Sequence, residues 1–173
     1  MAFEIERRFL VRGEQWRAHI AWQARLQQGY LSASADGFTT RVRSDGAGGA
    51  WLTLKCAAAD QGPVVRHEFE YSIPPADAEA LLALSPAVLR KCRFGLDLPG
   101  GEWVLDVFEG ANAPLVIAEV ELSSAEQLLA IPSWCVVEIT GEGRFSNAAL
   151  SAAPLESWAA ADRAALLARL TQA

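Results

Sequence analysis

Apolar and polar residues alternate along most of this chain, which is typical of strands that bury one face. In FEIERRFLV (3–11), the apolar residues of the alternation fall at positions 3, 5, 9 and 11. Further segments show the same alternation and are separated by turn signals such as the glycine-rich RSDGAGGAW. The pattern predicts strands over 3–11, 27–33, 37–44, 50–56, 64–73, 88–96, 102–109, 115–122 and 134–141.

Helical signals occur in a few segments between and after these strands. GEQWRAHI (13–20) is a short candidate. PPADAEALLALS (74–85) opens with proline and acidic residues, which favour a helix N-terminus. The tail over 154–173 is rich in alanine and leucine, which predicts a C-terminal helix.

A further helix is predicted over 123–131, in the sequence SSAEQLLAI. Ser123 or Ser124 is a candidate N-cap, and Glu126 follows Ser123 at the spacing of a capping box. No internal repeat or low-complexity linker divides the chain. We therefore expect a single domain over 1–173, mainly β (α+β), with helices packed around an antiparallel sheet or at its end.

Composition is that of a globular protein. The chain has 173 residues, of which 51% are hydrophobic and 21% charged, enough for one domain with a core. No apolar run reaches membrane-spanning length, and the charged first strand gives no sign of a signal peptide. The cysteines Cys56, Cys92 and Cys135 are odd in number and lack zinc spacing, so we expect a reducing cytoplasm.

Charges of one sign recur at positions i and i+2 on the polar strand faces. Such pairs are mildly destabilising, on the order of a few tenths of a kcal/mol, whereas a solvated face normally mixes signs. Acids occupy the first and last strands, and bases occupy mainly the middle ones. The same-sign pairs are Glu4/Glu6, Glu119/Glu121, Arg41/Arg43 and Lys91/Arg93.

Two interpretations of these faces remain open. One is an ordinary sheet with a solvated face. The other is a site for a metal–polyanion complex, in which carboxylates hold a hard divalent cation and Arg and Lys hold phosphate oxygens. The net charge of −6 argues against binding a nucleic-acid backbone by bulk attraction, so an anion would need local positive charge or a metal. If the charged faces converge, the sheet closes into a barrel of about eight strands whose interior holds a ligand.

The opening EIERRF resembles the ExExK signature of the CYTH superfamily, the triphosphate tunnel metalloenzymes. Further motifs resemble that family in the same order and span nearly the whole chain. They are QGYL (28–31), RVR (41–43), LTLK (52–55), EFEY (68–71), KCRF (91–94), WVLDVFEG (103–110), AEVEL (118–122) and EITGEGRFSN (138–147). The chain is similar to the short, stand-alone bacterial members.

The resemblance implies an eight-stranded antiparallel β-barrel tunnel with flanking helices. It also implies metal-dependent hydrolysis of a triphosphate, with inorganic tripolyphosphate and Mg²⁺ or Mn²⁺ as the first expectation. A thiamine or nucleoside triphosphatase, an adenylate cyclase and a non-catalytic polyphosphate-binding module remain alternatives. The expected partner is a small-molecule triphosphate, with no nucleic acid and no membrane, and the tryptophans leave a homodimer open.

By the same resemblance, residues divide into an acidic and a basic group. The acidic group would bind the metal and comprises Glu4, Glu6, Glu119, Glu121 and Glu138, with Asp106 as an addition. The basic group would hold the phosphates and comprises Arg41, Arg43, Lys55, Lys91 and Arg93, with Arg66 as a further candidate. Glu68 and Glu70 are interpreted as salt links to neighbouring arginines.

The sequence departs from the family pattern at Arg8. The family has lysine there, proposed to pair with the tyrosine of QGYL, here Tyr30. Arg8 and Tyr30 are therefore the catalytic candidates, and Arg8 also joins the phosphate-binding group. An arginine can hold phosphate bidentately or lower the pKa of Tyr30, but it cannot act as a base. We hypothesise reduced or altered hydrolysis with phosphate binding kept.

Overall fold

Nine antiparallel strands dominate the computed structural model, which describes residues 3–33, 38–57, 65–124 and 126–172. Each strand alternates between a face turned to the interior of the sheet and a face turned outward. The strands are β1 Phe3–Val11, β2 Ile20–Ala33, β3 Thr39–Ser44, β4 Ala50–Ala57, β5 Val65–Ser72, β6 Val88–Leu96, β7 Glu102–Phe108, β8 Val116–Glu121 and β9 Cys135–Glu138.

The strand order is β5-β4-β3-β2-β6-β7-β8-β1-β9, and an additional β5–β1 pairing joins distant parts of the sheet. β1 pairs with β8 along one edge, over Glu6–Leu10. Its other edge pairs with β5 over Phe3–Ile5 and with β9 over Phe9–Val11. The predicted eight-stranded tunnel is confirmed, with a short ninth strand added beside β1 and a closure that rests on the three β1–β5 residue pairs.

Glycines form the predicted hairpin tip between β3 and β4. Gly46 and Gly48 have φ values of 70° and 104°, which residues with a Cβ atom rarely adopt. The carboxylate of Asp45 accepts hydrogen bonds from the backbone N–H groups of Ala47 and Gly49, each at 2.8 Å. This turn sets the β3–β4 register, which places Arg43 opposite Trp51.

The helices are α1 Pro75–Leu84, α2 Asn147–Ala152 and α3 Ala160–Gln172. α1 confirms the helix predicted over 74–85. α2 lies outside the predicted helices, and the Ser146 hydroxyl caps it by accepting a hydrogen bond from the Ala149 N–H at 3.1 Å. The predicted C-terminal helix is divided, since a 3₁₀ turn over Leu155–Ser157 precedes α3. No helix in the described part of the chain is long and apolar enough to cross a membrane.

The prediction of a helix over 123–131 is wrong. The described residues of this segment form a loop, in which the side-chain oxygen of Gln127 accepts hydrogen bonds from the backbone N–H and hydroxyl of Ser123. The Gln127 amide donates to the Gly100 carbonyl at 2.8 Å. Leu128 is 95% exposed, so the apolar residues do not form one buried helical stripe.

The helix observed in the segment predicted over 13–20 is shorter than expected and of a different kind. It is a 3₁₀ turn over Gln15–His19, after which β2 begins at Ile20, seven residues before the predicted strand start. Trp16 anchors the turn by packing on Phe94, with ring centroids 5.0 Å apart. β2 is long because it pairs with β6 from Ile20 onward.

Apolar clusters lie on both sides of the sheet. One contains Phe9, Trp16 and Trp103 and lies on the outward face of β1, β6, β7 and β8. A second contains Leu10 and Phe108 and extends to α2 and α3, so it fills one end of the interior. The remaining length of the interior is left for charged side chains.

Candidate functional site: a charged tunnel

Strand register gathers most of the predicted charges on the interior face. Glu6 lies directly opposite Glu121, and Arg8 lies opposite Glu119, in the β1–β8 ladder. Across the sheet, Arg93 of β6 lies opposite Asp106 of β7. Directly opposed residues of an antiparallel pair point to the same face. The same-sign pairs within strands therefore meet charges of both signs on neighbouring strands.

A cavity of about 450 Å³, here called the cationic chamber, collects most of the predicted basic residues. Four strands contribute these side chains, and the N-terminal end of α2 lines the chamber through Ser146 and Asn147. The charged residues and the tyrosine that line it are Arg8, Arg41, Arg43, Lys55, Arg93, Glu6, Glu68, Glu70, Glu119 and Tyr30.

On β3 and β4, carboxylates of β5 hold the cations in place. Arg41 and Arg43 each lie within 3.2 Å of a Glu70 carboxylate oxygen, and Lys55 lies 3.0 Å from Glu68. Glu68 and Glu70 thus form the salt links expected from the sequence. The Nε atoms of Arg41 and Arg43 are buried and have no hydrogen-bond partner among the described residues. Buried donors of this kind are normally satisfied, so both arginines have capacity for a further acceptor.

A second set of ion pairs connects β1, β6, β7 and β8. Glu119 accepts from Arg8 Nε at 3.0 Å and from Arg93 Nη2 at 2.9 Å. Asp106 accepts two bonds from Arg93, at 2.8 and 2.7 Å, and one from Lys91 Nζ at 2.5 Å. Charge-assisted bonds of this length are among the strong ones in proteins. Arg93 is therefore fixed relative to both carboxylates, and Arg8 relative to Glu119.

The pKa values in this network follow from burial and neighbouring charge. Burial would raise the pKa of Asp106, but the charges of Arg93 and Lys91 outweigh it and hold that pKa well below its usual range. Burial would likewise raise the pKa of Glu119, but Arg8 and Arg93 lower it. Burial and the charge of Arg93 lower the pKa of Lys91 to about 8, against the opposing effect of Asp106.

Arg8 and Tyr30 both line the cationic chamber, but they bond to other groups. Arg8 Nη2 donates to the Phe145 carbonyl at 2.9 Å, in addition to its bond to Glu119. The Tyr30 hydroxyl accepts from the Gln28 side-chain amide at 2.9 Å. Burial raises the pKa of Tyr30 more than the charges of Arg41 and Lys55 lower it, so the phenol is neutral at physiological pH. Sequence reasoning missed Gln28, although it belongs to the same QGYL motif.

A neighbouring cavity of about 410 Å³, here called the acidic chamber, shares Glu6, Arg43, Arg93 and Glu119 with the cationic chamber. Its further charged residues are all acidic, and its other lining residues are mainly apolar. These residues are Asp45, Glu102, Glu121, Trp22, Ala24, Leu26, Trp51 and Val104.

Sequence reasoning missed Glu102 and Trp22 as lining residues of the acidic chamber. The alternation of β7 places Glu102 on the same strand face as Asp106, which is a signal that could have found it. Trp22 lies across Gly95 of β6, where an added Cβ atom would come within 2.0 Å of the indole nitrogen. The glycine therefore makes room for the indole at the chamber wall.

Oxygen donors on three strands fit a hard divalent cation. Glu6, Glu119 and Glu121 all line the acidic chamber, and Glu121 also lies opposite Glu102 in the β7–β8 ladder. Carboxylate oxygens are the ligands that Mg²⁺ and Mn²⁺ prefer. Within the described ranges, no group of three or more His, Cys, Asp or Glu side chains already has the arrangement of a metal site.

Several predicted residues lie away from both chamber linings. Lys91 and Asp106 are buried in the sheet next to Arg93. Glu138 pairs with Arg7, at 2.6 Å, on the face opposite to Glu6 and Arg8.

Two more predicted residues fall partly outside the described part of the chain. Glu4 of β1 lies opposite Arg66 of β5 in the strand register. Their side chains lie outside what the structure describes, so both roles stay predictions.

Fold and site together define an antiparallel β tunnel whose interior is lined by paired charges. A family model described as the CYTH domain matches residues 2–152. The chain therefore belongs to the CYTH family.

Relatives and solved structures agree with this assignment. An inorganic triphosphatase of Acetivibrio thermocellus is 32% identical over 160 residues, covering 91% of this chain and 99% of the relative. An inorganic triphosphatase of Nitrosomonas europaea is 35% identical over 153 residues, covering 86% and 96%. The crystal structure of the inorganic triphosphatase NE1496 superposes with a TM-score of 0.60 at 33% identity, covering 87% of this chain and 95% of that chain. The PH1012 protein of Pyrococcus horikoshii shares the fold at 19% identity, with a TM-score of 0.54 over 71% of this chain and 80% of that chain.

Proposed function

We propose that this chain is a metal-dependent triphosphatase that hydrolyses inorganic tripolyphosphate to pyrophosphate and phosphate. The observation that carries the proposal is the cationic chamber, where five basic side chains converge in a chain of net charge −6. The names of the relatives that exceed 30% identity support the same activity. Phosphoryl transfer needs positioning and charge neutralisation more than covalent chemistry, and the chamber offers both.

Arg41, Arg43 and Lys55 would hold the phosphates. Their carboxylate partners on β5 keep the cations oriented before substrate arrives, which lowers the entropy lost on binding. The buried Nε atoms of Arg41 and Arg43 supply donors that no described residue uses. Arg93 lines both chambers and would contact phosphate oxygens nearest to the carboxylates.

Glu6, Glu119 and Glu121 would hold Mg²⁺ or Mn²⁺, with Glu4 as a further ligand predicted from the sequence. Such an ion, when bound, neutralises phosphate charge and polarises the reacting phosphorus. Mg²⁺ usually takes one or two carboxylates together with substrate phosphates and water, so these residues need not all bind it directly.

Arg8 is the reason to expect slow turnover. Its guanidinium cannot take a proton, and the raised pKa of Tyr30 keeps the phenol protonated. Neither residue can therefore act as a base at neutral pH. Arg8 still provides positive charge at the chamber wall, so phosphate binding is retained while hydrolysis is reduced.

The acidic chamber favours a second candidate, an organic triphosphate such as a thiamine or nucleoside triphosphate. Trp22 and Trp51 offer aromatic surface beside the shared residue Arg43, where the organic end of such a substrate would lie.

A homodimer and a cytoplasmic location also stay proposals. The cytoplasmic location is supported by the three free cysteines, since a reducing compartment keeps thiols unpaired.

The deciding experiment is phosphate release from tripolyphosphate, thiamine triphosphate and ATP, each with Mg²⁺ and Mn²⁺. Tripolyphosphate should be the preferred substrate, and Arg41→Met should raise its KM roughly tenfold or more, because a charged hydrogen-bond donor is lost. Arg25→Met is the matched control, since Arg25 is exposed and pairs with Glu109. Binding of tripolyphosphate without phosphate release under every condition would leave the non-catalytic module as the function.

A further inference from the structure

We propose that Lys91 is a positioning residue rather than a phosphate ligand, and that it acts through Asp106 on Arg93 and through Asn147 on the wall of the cationic chamber. The inference rests on the proposed function, because it concerns how the same tunnel holds a triphosphate. It also departs from the resemblance, which placed Lys91 among the residues that hold phosphate directly.

The position of Lys91 supports this role. Lys91 is 2% exposed and belongs to the lining of neither chamber, whereas Arg93, two residues along β6, belongs to both. In the β6–β7 ladder Lys91 lies opposite Phe108, and its Nζ atom lies 5.6 Å from the centroid of that ring. Phe108 belongs to the apolar cluster that fills one end of the interior. Lys91 therefore lies between the charged and apolar parts of the interior.

The contacts of Lys91 account for a positioning effect. Its Nζ atom donates to Asp106 at 2.5 Å and to the Asn147 side-chain oxygen at 3.1 Å. Asp106 is fully buried and also receives two bonds from Arg93. An isolated buried carboxylate is unfavourable, so both cations stabilise it in this place. The Asp106 carboxylate in turn fixes the plane of the Arg93 guanidinium.

Asn147 extends the effect to a second element. It is the first residue of α2 and lines the cationic chamber. Its bond to Lys91 joins α2 to β6. For Lys91 to reach a phosphate, it would have to give up Asp106 and Asn147 together and leave a buried carboxylate with fewer partners. Holding these two groups is the role that the described contacts favour.

A comparison of two variants tests the inference without leaving an unpaired charge on Asp106. Asp106→Asn removes the carboxylate charge at nearly constant volume, and Lys91→Met combined with Asp106→Asn then removes the cation as well. Both proteins are titrated with tripolyphosphate in Mg²⁺ by calorimetry, and circular dichroism verifies that each is folded. In the Asp106→Asn background Lys91 keeps its bond to Asn147, so adding Lys91→Met should weaken tripolyphosphate binding by no more than about threefold, the effect of losing one hydrogen bond that does not touch the ligand. Their kcat values should agree within the same factor, although both fall below that of the wild type.

Arg41→Met combined with Asp106→Asn is the matched control for a direct ligand. It should bind tripolyphosphate roughly tenfold or more weakly than Asp106→Asn alone. A comparable weakening on adding Lys91→Met would overturn the inference, because Lys91 would then contribute its own phosphate contact. If the wild-type protein binds tripolyphosphate but releases no phosphate, the proposed function is rejected. The comparison of Kd values then still decides the role of Lys91. A wild-type protein that does not bind tripolyphosphate would overturn both.

Discussion

At the residue scale, Arg8 makes two contacts at once, of which a lysine would keep only the ion pair. Its guanidinium bonds to Glu119 and to the Phe145 carbonyl at the same time. A lysine ammonium is a single point charge that can lose its proton, so it would keep the ion pair and give up the planar fork. We predict that Arg8→Lys raises the rate of phosphate release from tripolyphosphate severalfold. Steady-state kinetics with Mg²⁺ would measure this effect.

The adjacent Arg7 provides the control for this substitution. Arg7 points to the opposite face of β1 and pairs with Glu138 there, so Arg7→Lys changes the same chemistry outside the chambers. It should leave phosphate release unchanged. A wild-type protein that already turns over rapidly, with Arg8→Lys no faster, would show that arginine at this position does not limit catalysis.

Asp106 should couple stability to acid pH. Its pKa is held well below its usual range in the folded protein, whereas the unfolded chain titrates near pH 4. The unfolded state therefore binds more protons below about pH 4, and the stabilisation by Asp106 is present above that pH and lost as the pH falls. We predict that the free energy of unfolding falls more steeply between pH 5 and pH 3 in the wild type than in Asp106→Asn. Urea denaturation at each pH would measure both slopes, and parallel slopes would contradict the prediction.

At the element scale, periodicity predicted strands better than it predicted helices. The alternation of apolar residues located all nine strands, because burial of one face imposes a period of two. It did not locate the first part of β2, where residues 20–23 are exposed and the strand is defined by pairing with β6. The capping-box signal at Ser123 failed because the backbone N–H and the hydroxyl of Ser123 both bond to the Gln127 side chain in a loop. Local hydrogen-bonding groups are compatible with either structure, and tertiary packing decides between them.

Strands β2 and β6 meet closely where Trp22 covers Gly95. An added Cβ atom at position 95 would come within 2.0 Å of the indole, so the ring would have to move. We predict that Gly95→Ala destabilises the protein by about 1 kcal/mol, at the lower end of the cost of inserting a methyl group into packed structure, because Trp22 is half-exposed and its ring can turn outward. In a Trp22→Ala background the same change should cost much less. Urea denaturation of the four proteins would measure the coupling.

Gly143→Ala is the matched control for this cycle. Among the described residues, no heavy atom beyond the local backbone and chain neighbours lies within 4 Å of a Cβ atom built at Gly143, and its φ angle is not positive. The substitution should be neutral or slightly stabilising, because alanine reduces the conformational entropy of the unfolded chain. If Gly95→Ala lowers the free energy of unfolding equally in the presence and absence of Trp22, the position of the indole ring does not require a glycine at position 95.

At the scale of the whole molecule, sequence could predict most of the charges that face the interior but not which of them meet. The i, i+2 spacing places Glu6 and Arg8 on one face whatever the partner strand is. The bonds of Asp106 to Arg93 and Lys91 depend on the β6–β7 register, which no local pattern encodes. Glu138 is the exception among the facing predictions, since the register of β9 places it opposite Phe9 and on the outward face. Closure of the tunnel is a property of the complete strand order.

The charge balance of the tunnel accounts for a metal requirement. Five basic side chains and four carboxylates line the cationic chamber, so its formal charge is close to +1. A triphosphate carries several negative charges, and the chain as a whole has a net charge of −6. The protein alone therefore leaves most of the substrate charge unneutralised. A divalent cation beside the shared carboxylates would supply the missing positive charge.

The position of that cation can be tested with two glutamates that the sequence placed in one group. Glu121 lines the acidic chamber opposite Glu6, whereas Glu138 lies outside both chambers and pairs with Arg7. We predict that chelation of divalent ions abolishes phosphate release and that Glu121→Gln raises the Mg²⁺ concentration for half-maximal activity about tenfold. Glu138→Gln should leave that concentration unchanged, because an exposed ion pair contributes little. Kinetics over a Mg²⁺ series would measure both, and a larger shift for Glu138→Gln would place the cation on the β9 side of the sheet.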